Sequence, residues 1–259
     1  FAHLAAAEAQ KYIKVNVAAS SREEGYVRIP DVSAIPFTPD ADYAYITTNN
    51  TIYGTRYRKY PDTGAVPLVA DASSNILSEP IDVSKFGVIF AGTQKNMGPA
   101  GMAVVIIRKD LLGNPGPMCP KIVDWTLQAK NGSMINTPNT FAIYMVKLVC
   151  EWMMKRGGVP AFYVYNQDKA ELLYDYLDNS KLFKSPVDRE YRSLMNVTFV
   201  TGDPDKDAAF VKECTKNGLL NIKGHRSVGG MRASIYNAMP EEGVKKLISV
   251  MAAFEKENA

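Results

Sequence analysis

The chain has 259 residues, 46% of them hydrophobic, with 30 Lys and Arg against 27 Asp and Glu and a net charge of +3. That length supports a substantial core and one large or two modest domains. The near-balanced charge, without a dense basic cluster, excludes the electrostatic footprint of a nucleic-acid or acidic-membrane binder. No apolar run reaches the length of a membrane span, and the start of the chain has neither a secretory signal nor a transit pattern. Cys119, Cys150 and Cys214 are odd in number and far apart, which points to reduced thiols in a cytosolic protein. His3 and His225, with no close Cys or His spacing, do not make a zinc site.

An Ala-rich stretch over 2–12 predicts a first helix, and Pro30, Pro36 and Pro39 predict loop and edge structure to about residue 42. Tyr43-Ala44-Tyr45-Ile46-Thr47 predicts a strand, followed by polar Thr48-Asn49-Asn50-Thr51 and a turn near Gly54. Val66-Pro67-Leu68-Val69-Ala70 predicts another, and its proline argues against a central place because it removes a ladder donor. The runs 86–91 and 102–107 are short, continuous and rich in β-branched residues, as strands buried on both faces are. Residues 110–138 hold Pro115, Pro117, Pro120 and Pro138 and show little periodicity, a length of irregular chain that is usually functional or interfacial. A helix over 140–155 places Ile143, Met145, Val146, Val149, Cys150 and Met153 largely on one side, and Gly157-Gly158 stops it. A second helical pattern over 160–179 carries Leu172, Leu173 and Leu177. Strands are then predicted over 195–200, 219–222 and 230–236, interleaved with helices over 205–217 and 241–256. Val244, Leu247, Ile248, Met251 and Phe254 form one core-facing stripe on the last helix. The fold class is α/β: a mostly parallel-sheet large domain over 1–158 and a small α+β domain over 159–259.

Lys95 lies between the two β-branched runs, in Gly92-Thr93-Gln94-Lys95-Asn96-Met97-Gly98-Pro99-Ala100-Gly101. Glycines let a ligand approach the backbone, and the unbranched lysine stem lets an amine reach from a strand end, where burial lowers its pKa. It reads either as a covalent cofactor anchor or as a solvated loop lysine. Asp71 directly follows an apolar strand, where a carboxylate is costly to bury without a partner, and it also suits an N-cap for Ala72-Ser73-Ser74. Thr51, Asp71 and Lys95 all fall where a strand should end, the place where ligands collect in open α/β sheets. A carboxylate and a lysine at neighbouring strand ends match what pyridoxal 5′-phosphate needs, an amine for its aldehyde and an acid for its ring nitrogen. In Met231-Arg232-Ala233-Ser234-Ile235-Tyr236 the strand period puts Arg232, Ser234 and Tyr236 on one polar face, where an arginine can grip a carboxylate with two parallel bonds. The Lys95 loop lacks the glycine spacing of a nucleotide or dinucleotide fingerprint.

Taken together, five segments resemble the phosphoserine aminotransferase family of class V aminotransferases. They are the Lys95 loop, Asp71-Ala72-Ser73-Ser74-Asn75-Ile76-Leu77-Ser78, Asn49-Asn50-Thr51-Ile52-Tyr53-Gly54, Asn131-Gly132-Ser133-Met134-Ile135-Asn136-Thr137-Pro138, and Gly224-His225-Arg226-Ser227-Val228-Gly229-Gly230-Met231-Arg232-Ala233-Ser234. The resemblance runs the length of the chain and implies an aspartate-aminotransferase-like fold. It implies a cytoplasmic homodimer with shared sites, exchanging an amino group between L-glutamate and 3-phosphohydroxypyruvate on the serine route. By the same resemblance Lys95 is the Schiff-base lysine, Asp71 the partner of the pyridine nitrogen, and Thr51 a contact to the phenolic oxygen. Gln94 helps hold the cofactor phosphate, and Asn136 and Thr137 reach the phosphate of the neighbouring subunit's cofactor. Arg232 falls to the substrate α-carboxylate, and His225 and Arg226 to its distal anion; a surface turn is the other reading of that pair. The resemblance also implies an N-terminal region preceding Phe1, with an aromatic ring that stacks on the pyridine, phosphate donors and a further His-Arg pair. A separate chain carrying that region would be a further partner. Two alternatives stand beside this reading: a non-catalytic fragment with a structural or dimerising role, and a related class V aminotransferase or desulfurase.

Overall fold

The computed structural model describes residues 1–113 and 115–258. The first helix, α1 (Ala2–Ala9), stops short of Tyr12 and buries none of its side chains. A four-stranded sheet follows, built from β1 (Ala44–Thr47), β4 (Leu68–Asp71), β5 (Val88–Gly92) and β6 (Ala103–Ile107) in that spatial order. Between β1 and β4 the chain makes a small antiparallel pair, β2 (Asn49–Asn50) with β3 (Thr55–Arg56). β1, β4 and β5 are mutually parallel, and β6 returns antiparallel to β5. Thr47, Asp71 and Phe90 stand in register, so three strands deliver their carboxyl ends to one edge.

Two expectations about the sheet are corrected. β4 is central, because Pro67 sits just before the strand and costs it no ladder bond; its carbonyl still accepts from Ala44 N at 2.9 Å. The two β-branched runs are not buried on both faces. β5 alternates buried and half-buried residues, and Ala103 and Ile106 of β6 are exposed on a strand paired along one side only. A continuous apolar run does not report which face is covered.

The described residues of 110–138 are irregular as expected, apart from single turns and the short α2 (Trp125–Lys130), whose Asp124 cap accepts from Thr126 N and Leu127 N. α3 (Thr140–Lys155) turns Ala142 and Met153 inward and Val146 against the sheet core. Ile143, expected on that side, is exposed instead, with Phe141 and Tyr144. Gly157, in the left-handed region at φ 93°, separates α3 from α4 (Gly158–Asn179). Beyond them β7 (Asn196–Phe199) pairs antiparallel with β8 (Met231–Ser234), flanked by α5 (Pro204–Lys216) and α6 (Glu241–Asn258). Residues 219–222 are not a strand. Asn221 takes φ 59°, which bends the chain; Leu219 N turns back to Cys214 O, and the approach to β8 is the bond from Arg232 N to Ile222 O with a bridge from the next residue, Lys223, to Met231.

Two apolar clusters result. One packs Ile46, Leu68, Ala70, Ile89, Phe86 and Met97 behind the sheet; the other joins α4, α5 and α6 to β7 and β8. In the second, Phe210 meets Phe183 and Phe254 edge-on, with centroids 4.7 and 5.2 Å apart. Buried polar contacts knit the two clusters together. Arg56 pairs with Glu79 and sends its Nε to Arg192 O at 3.1 Å. Gly54, at φ 80°, passes so close to β7 that an added Cβ would lie 2.7 Å from Asn196 O.

Candidate active site

Lys95 is lifted from the end of β5 by the loop that turns back into β6, and its Nζ donates to Thr51 Oγ1 at 2.8 Å. Thr51 is itself buried in the turn after β2, and its carbonyl accepts from an Arg232 terminal nitrogen at 3.2 Å. Thr51 is therefore the point where the lysine and the arginine meet. Burial holds the Lys95 amine below its usual range; the nearby Asp71 carboxylate opposes this and the Arg232 charge adds to it. Asp71 closes β4 half-buried, and one of its oxygens accepts from Ser73 N at 2.9 Å. Turns and no helix follow it over 73–78, so this bond closes a local turn and is not a helix cap, and it uses one carboxylate oxygen.

β8 supplies the opposite wall. Arg232, Ser234 and Tyr236 share the partly exposed face, while Met231, Ala233 and Ile235 enter the core. Asn196, wholly buried on β7, fixes that face by donating to Ser234 Oγ at 3.2 Å and Tyr236 Oη at 3.1 Å. Its own oxygen accepts from Asn49 Nδ2 at 2.9 Å, two residues before Thr51. Arg232 Nε is buried with no hydrogen-bond partner among the described residues. An amine beside a carboxylate, with an incompletely satisfied guanidinium facing them, suits a ligand that carries a carbonyl carbon and anionic groups.

The remaining predicted residues sit further out. Gln94 is exposed, its amide folded back over Gly92. His225 is half-buried in the turn before β8, its Nδ1 2.7 Å from Ser227 Oγ, and Arg226 is exposed. A cavity of about 150 Å³ runs beside that turn, lined by Tyr26, Tyr53, Val187, Gly224, Val228 and Arg232. Asn136 and Thr137 are exposed on the loop between α2 and α3. No hydrogen bond among the described residues joins Asn136, Thr137, His225 or Arg226 to Lys95. Two contributors escape the sequence reading. The Phe1 ring stands 5.6 Å from Lys95 Nζ, although an aromatic was expected only upstream of it, and Asn196 props the Arg232 face. An aromatic ahead of an Ala-rich helix carries no local mark of such a place, and neither does an asparagine in a strand.

With that geometry in view, a family model described as Aminotransferase class-V matches residues 2–247, and the chain belongs to that family. A phosphoserine aminotransferase from Bacillus cereus is 52% identical over 251 residues, 97% of this chain and 70% of its own length. Among solved structures, a phosphoserine aminotransferase from Bacillus circulans subsp. alkalophilus superposes with a TM-score of 0.95 at 42% identity, covering 97% of this chain and 70% of that one. A PLP-bound phosphoserine aminotransferase from Trichomonas vaginalis gives 0.83 at 44% identity, covering 87% of this chain and 64% of that one. Within the class V family the similarity is thus to its phosphoserine aminotransferase branch. The fold is that of the PLP-dependent aminotransferases, an α/β architecture with a mostly parallel sheet.

Proposed function

We propose that the protein is a pyridoxal-phosphate transaminase exchanging an amino group between L-glutamate and 3-phosphohydroxypyruvate, giving 2-oxoglutarate and O-phospho-L-serine. The convergence of Lys95, Thr51 and Arg232 beside Asp71 carries this reading. When bound, pyridoxal phosphate supplies an electron-poor ring that carries the amino group between the two acids. Lys95 Nζ would hold the cofactor and, when free of it, would carry the proton that leaves the substrate α-carbon; burial lowers its pKa, which suits an amine that must be neutral to act. Asp71, one oxygen of which is left free by the Ser73 bond, would hold the proton of the cofactor's ring nitrogen. Thr51 orients the Lys95 amine, Gln94 covers the phosphate side, and Phe1 offers its ring above the lysine. Arg232 grips the α-carboxylate, with Nε as its unsatisfied donor, and His225 and Arg226 take the distal phosphate or γ-carboxylate.

The working assembly in this proposal is a cytoplasmic homodimer in which Asn136 and Thr137 of one copy reach the phosphate site of the other. The exposed apolar side chains around that loop support it: Met134 at 60%, Phe141 at 66% and Tyr144 at 55% exposure form a face suited to a second copy. Residues 1–158 and 159–259 act as its two domains. No helix among the described residues is long and apolar enough to cross a membrane.

The deciding experiment is Lys95→Ala in the full-length protein, assayed in steady state with glutamate and 3-phosphohydroxypyruvate. Turnover falls by roughly 10³-fold or more if the amine moves the proton; steady turnover near wild type would sink the proposal. Assaying phosphoserine against serine and alanine tests the distal-anion role, because only a doubly anionic substrate engages His225 and Arg226.

A further inference from the structure

Directly after Asp71, the turn at Ile76, Leu77 and Ser78 carries an uncommon arrangement. Leu77 takes φ 60°, which a branched side chain rarely adopts, and the three consecutive carbonyls point to three different parts of the chain. Each is taken by an asparagine amide. Asn96 Nδ2 donates to Ile76 O at 3.0 Å, Asn237 Nδ2 to Leu77 O at 3.0 Å, and Asn166 Nδ2 to Ser78 O at 3.0 Å. The asparagines are joined to each other as well. Asn237 N donates to Asn96 Oδ1 at 3.0 Å, and Asn166 Nδ2 also reaches Asn237 Oδ1 at 2.8 Å. All three are at most 6% exposed.

The placement of these residues gives the cluster its meaning. Asn96 follows Lys95 in the loop, the 76–78 turn follows Asp71, and Asn237 lies at the exit of the strand that bears Arg232. Helix α4 contributes Asn166 from behind. The three groups that do the chemistry thus ride on three separate segments, and one buried polar node fixes those segments to each other. Buried amide bonds of this kind are directional, so they specify a spacing where apolar packing would allow sliding. The three asparagines bond to the turn and to one another; the amides of Asn96 and Asn237 also approach Met195 Sδ and Met153 Sδ, and Asn166 Oδ1 has no hydrogen-bond partner among the described residues.

We propose that Asn96 is a positioning residue for the transfer reaction: its amide ties the Lys95 loop to the Asp71 segment and to the exit of the Arg232 strand, and so sets the reach of the lysine amine. Removing the side chain beyond Cβ breaks two of these ties at once, the bond to Ile76 O and the bond from Asn237 N. The loop then keeps its own bonds, from Met97 N and Gly98 N to Thr93 O and from Thr93 Oγ1 to Pro99 O, with the bond from Gly92 N to Ser73 Oγ, the buried Met97 and the contact of Lys95 with Thr51, but among the described residues it has no hydrogen bond left to the exit of the Arg232 strand. Loosening lets water reach the amine and spreads its position.

The inference rests on Lys95 being the working amine, and its test separates the two. In full-length protein stripped of cofactor, the pH dependence of Lys95 acylation by acetic anhydride is followed by mass spectrometry, with the exposed Lys216 as internal reference. Asn96→Ala moves the Lys95 midpoint upward, toward an ordinary lysine, and leaves Lys216 in place. In the loaded enzyme the same variant loses about 10²-fold in kcat, the cost of a small misplacement, with KM for glutamate changed by no more than about threefold. Asn96→Ser, which keeps a small polar side chain, gives the same direction and serves where the alanine variant does not fold. A folded variant with an unchanged Lys95 midpoint and unchanged kcat overturns the positioning role, even if it melts earlier. Failure of Lys95→Ala to lose turnover would instead remove the proposed function and leave the acylation result standing.

Discussion

Lys169, on α4, is 0% exposed and has no acidic partner among the described residues. Its Nζ donates to Tyr236 O at 2.9 Å and Met239 O at 3.1 Å and lies 4.7 Å from the Tyr165 ring centroid. Burial pushes its pKa down to about 8 from 10.5. The ionised form is therefore disfavoured in the fold by roughly 3 kcal/mol relative to the unfolded chain. Replacing it by methionine removes that cost and keeps an apolar side chain of similar length. It also removes two hydrogen bonds worth about 1 kcal/mol each. Neither carbonyl is orphaned, because Met239 N still donates to Tyr236 O and Tyr165 Oη to Met239 O. At pH 7 Lys169→Met is accordingly as stable as the wild type or more so, by about 1 kcal/mol. The sign then reverses with pH. A lysine with a depressed folded pKa binds fewer protons folded than unfolded between about 8 and 10.5, so wild-type stability rises across that window. The methionine variant lacks this gain, and the wild type overtakes it by about pH 10. Thermal midpoints of the two cofactor-free proteins, measured in parallel from about pH 7 to about pH 10, reveal the crossover. Parallel curves over the whole range would refute the argument, since they would mean that the amine is already solvated.

Asp71→Ala retains a cofactor that borohydride traps on Lys95 but loses turnover by about 10²-fold or more, because the ring nitrogen loses its proton's partner; near wild-type rates would remove Asp71 from the mechanism. Arg232→Lys keeps the charge and loses the fork, so kcat/KM for both acids falls about 10- to 100-fold in steady-state assays. Phe183→Ala, at the centre of the edge-to-face cluster in the core between α4, α5, α6 and the β7–β8 pair, costs about 3–5 kcal/mol in denaturant unfolding. Phe141→Asp on the exposed side of α3 shifts the sedimenting species toward half the wild-type mass if that face meets a second copy.

The fold and the main groups of the candidate site were legible because they obey local rules. The β-branched runs, the glycines that end the helices and the stripe on α6 each state their element within a dozen residues. Lys95 and Asp71 stood out because polar groups after apolar runs mark strand ends, and the register of Thr47, Asp71 and Phe90 puts those ends together. The misreadings have physical causes. Pro67 lies one residue outside its strand, a margin that propensity does not resolve, and residues 219–222 have strand-like composition but are bent at Asn221. Ile143 keeps the helical period with Val146 and Cys150 but lies at the edge of the stripe, and how far cover extends over a helix is something a single sequence does not state.

The buried polar residues were illegible for a deeper reason. Asn96, Asn166, Asn196 and Asn237 look like ordinary loop or surface asparagines, since that residue type is mostly exposed. Each is instead enclosed and bonded to groups far away in the chain: Asn196 to Asn49, Asn166 to Ser78, Asn237 to Leu77. Hydrophobic burial can be inferred from pattern because it needs only an averaged environment, whereas a buried amide needs particular partners at particular angles. Those partners exist only once the two cores have docked. A network of this sort therefore contributes little to choosing the fold and much to its spacing, which is the quantity a lysine, an aspartate and an arginine on separate segments must share.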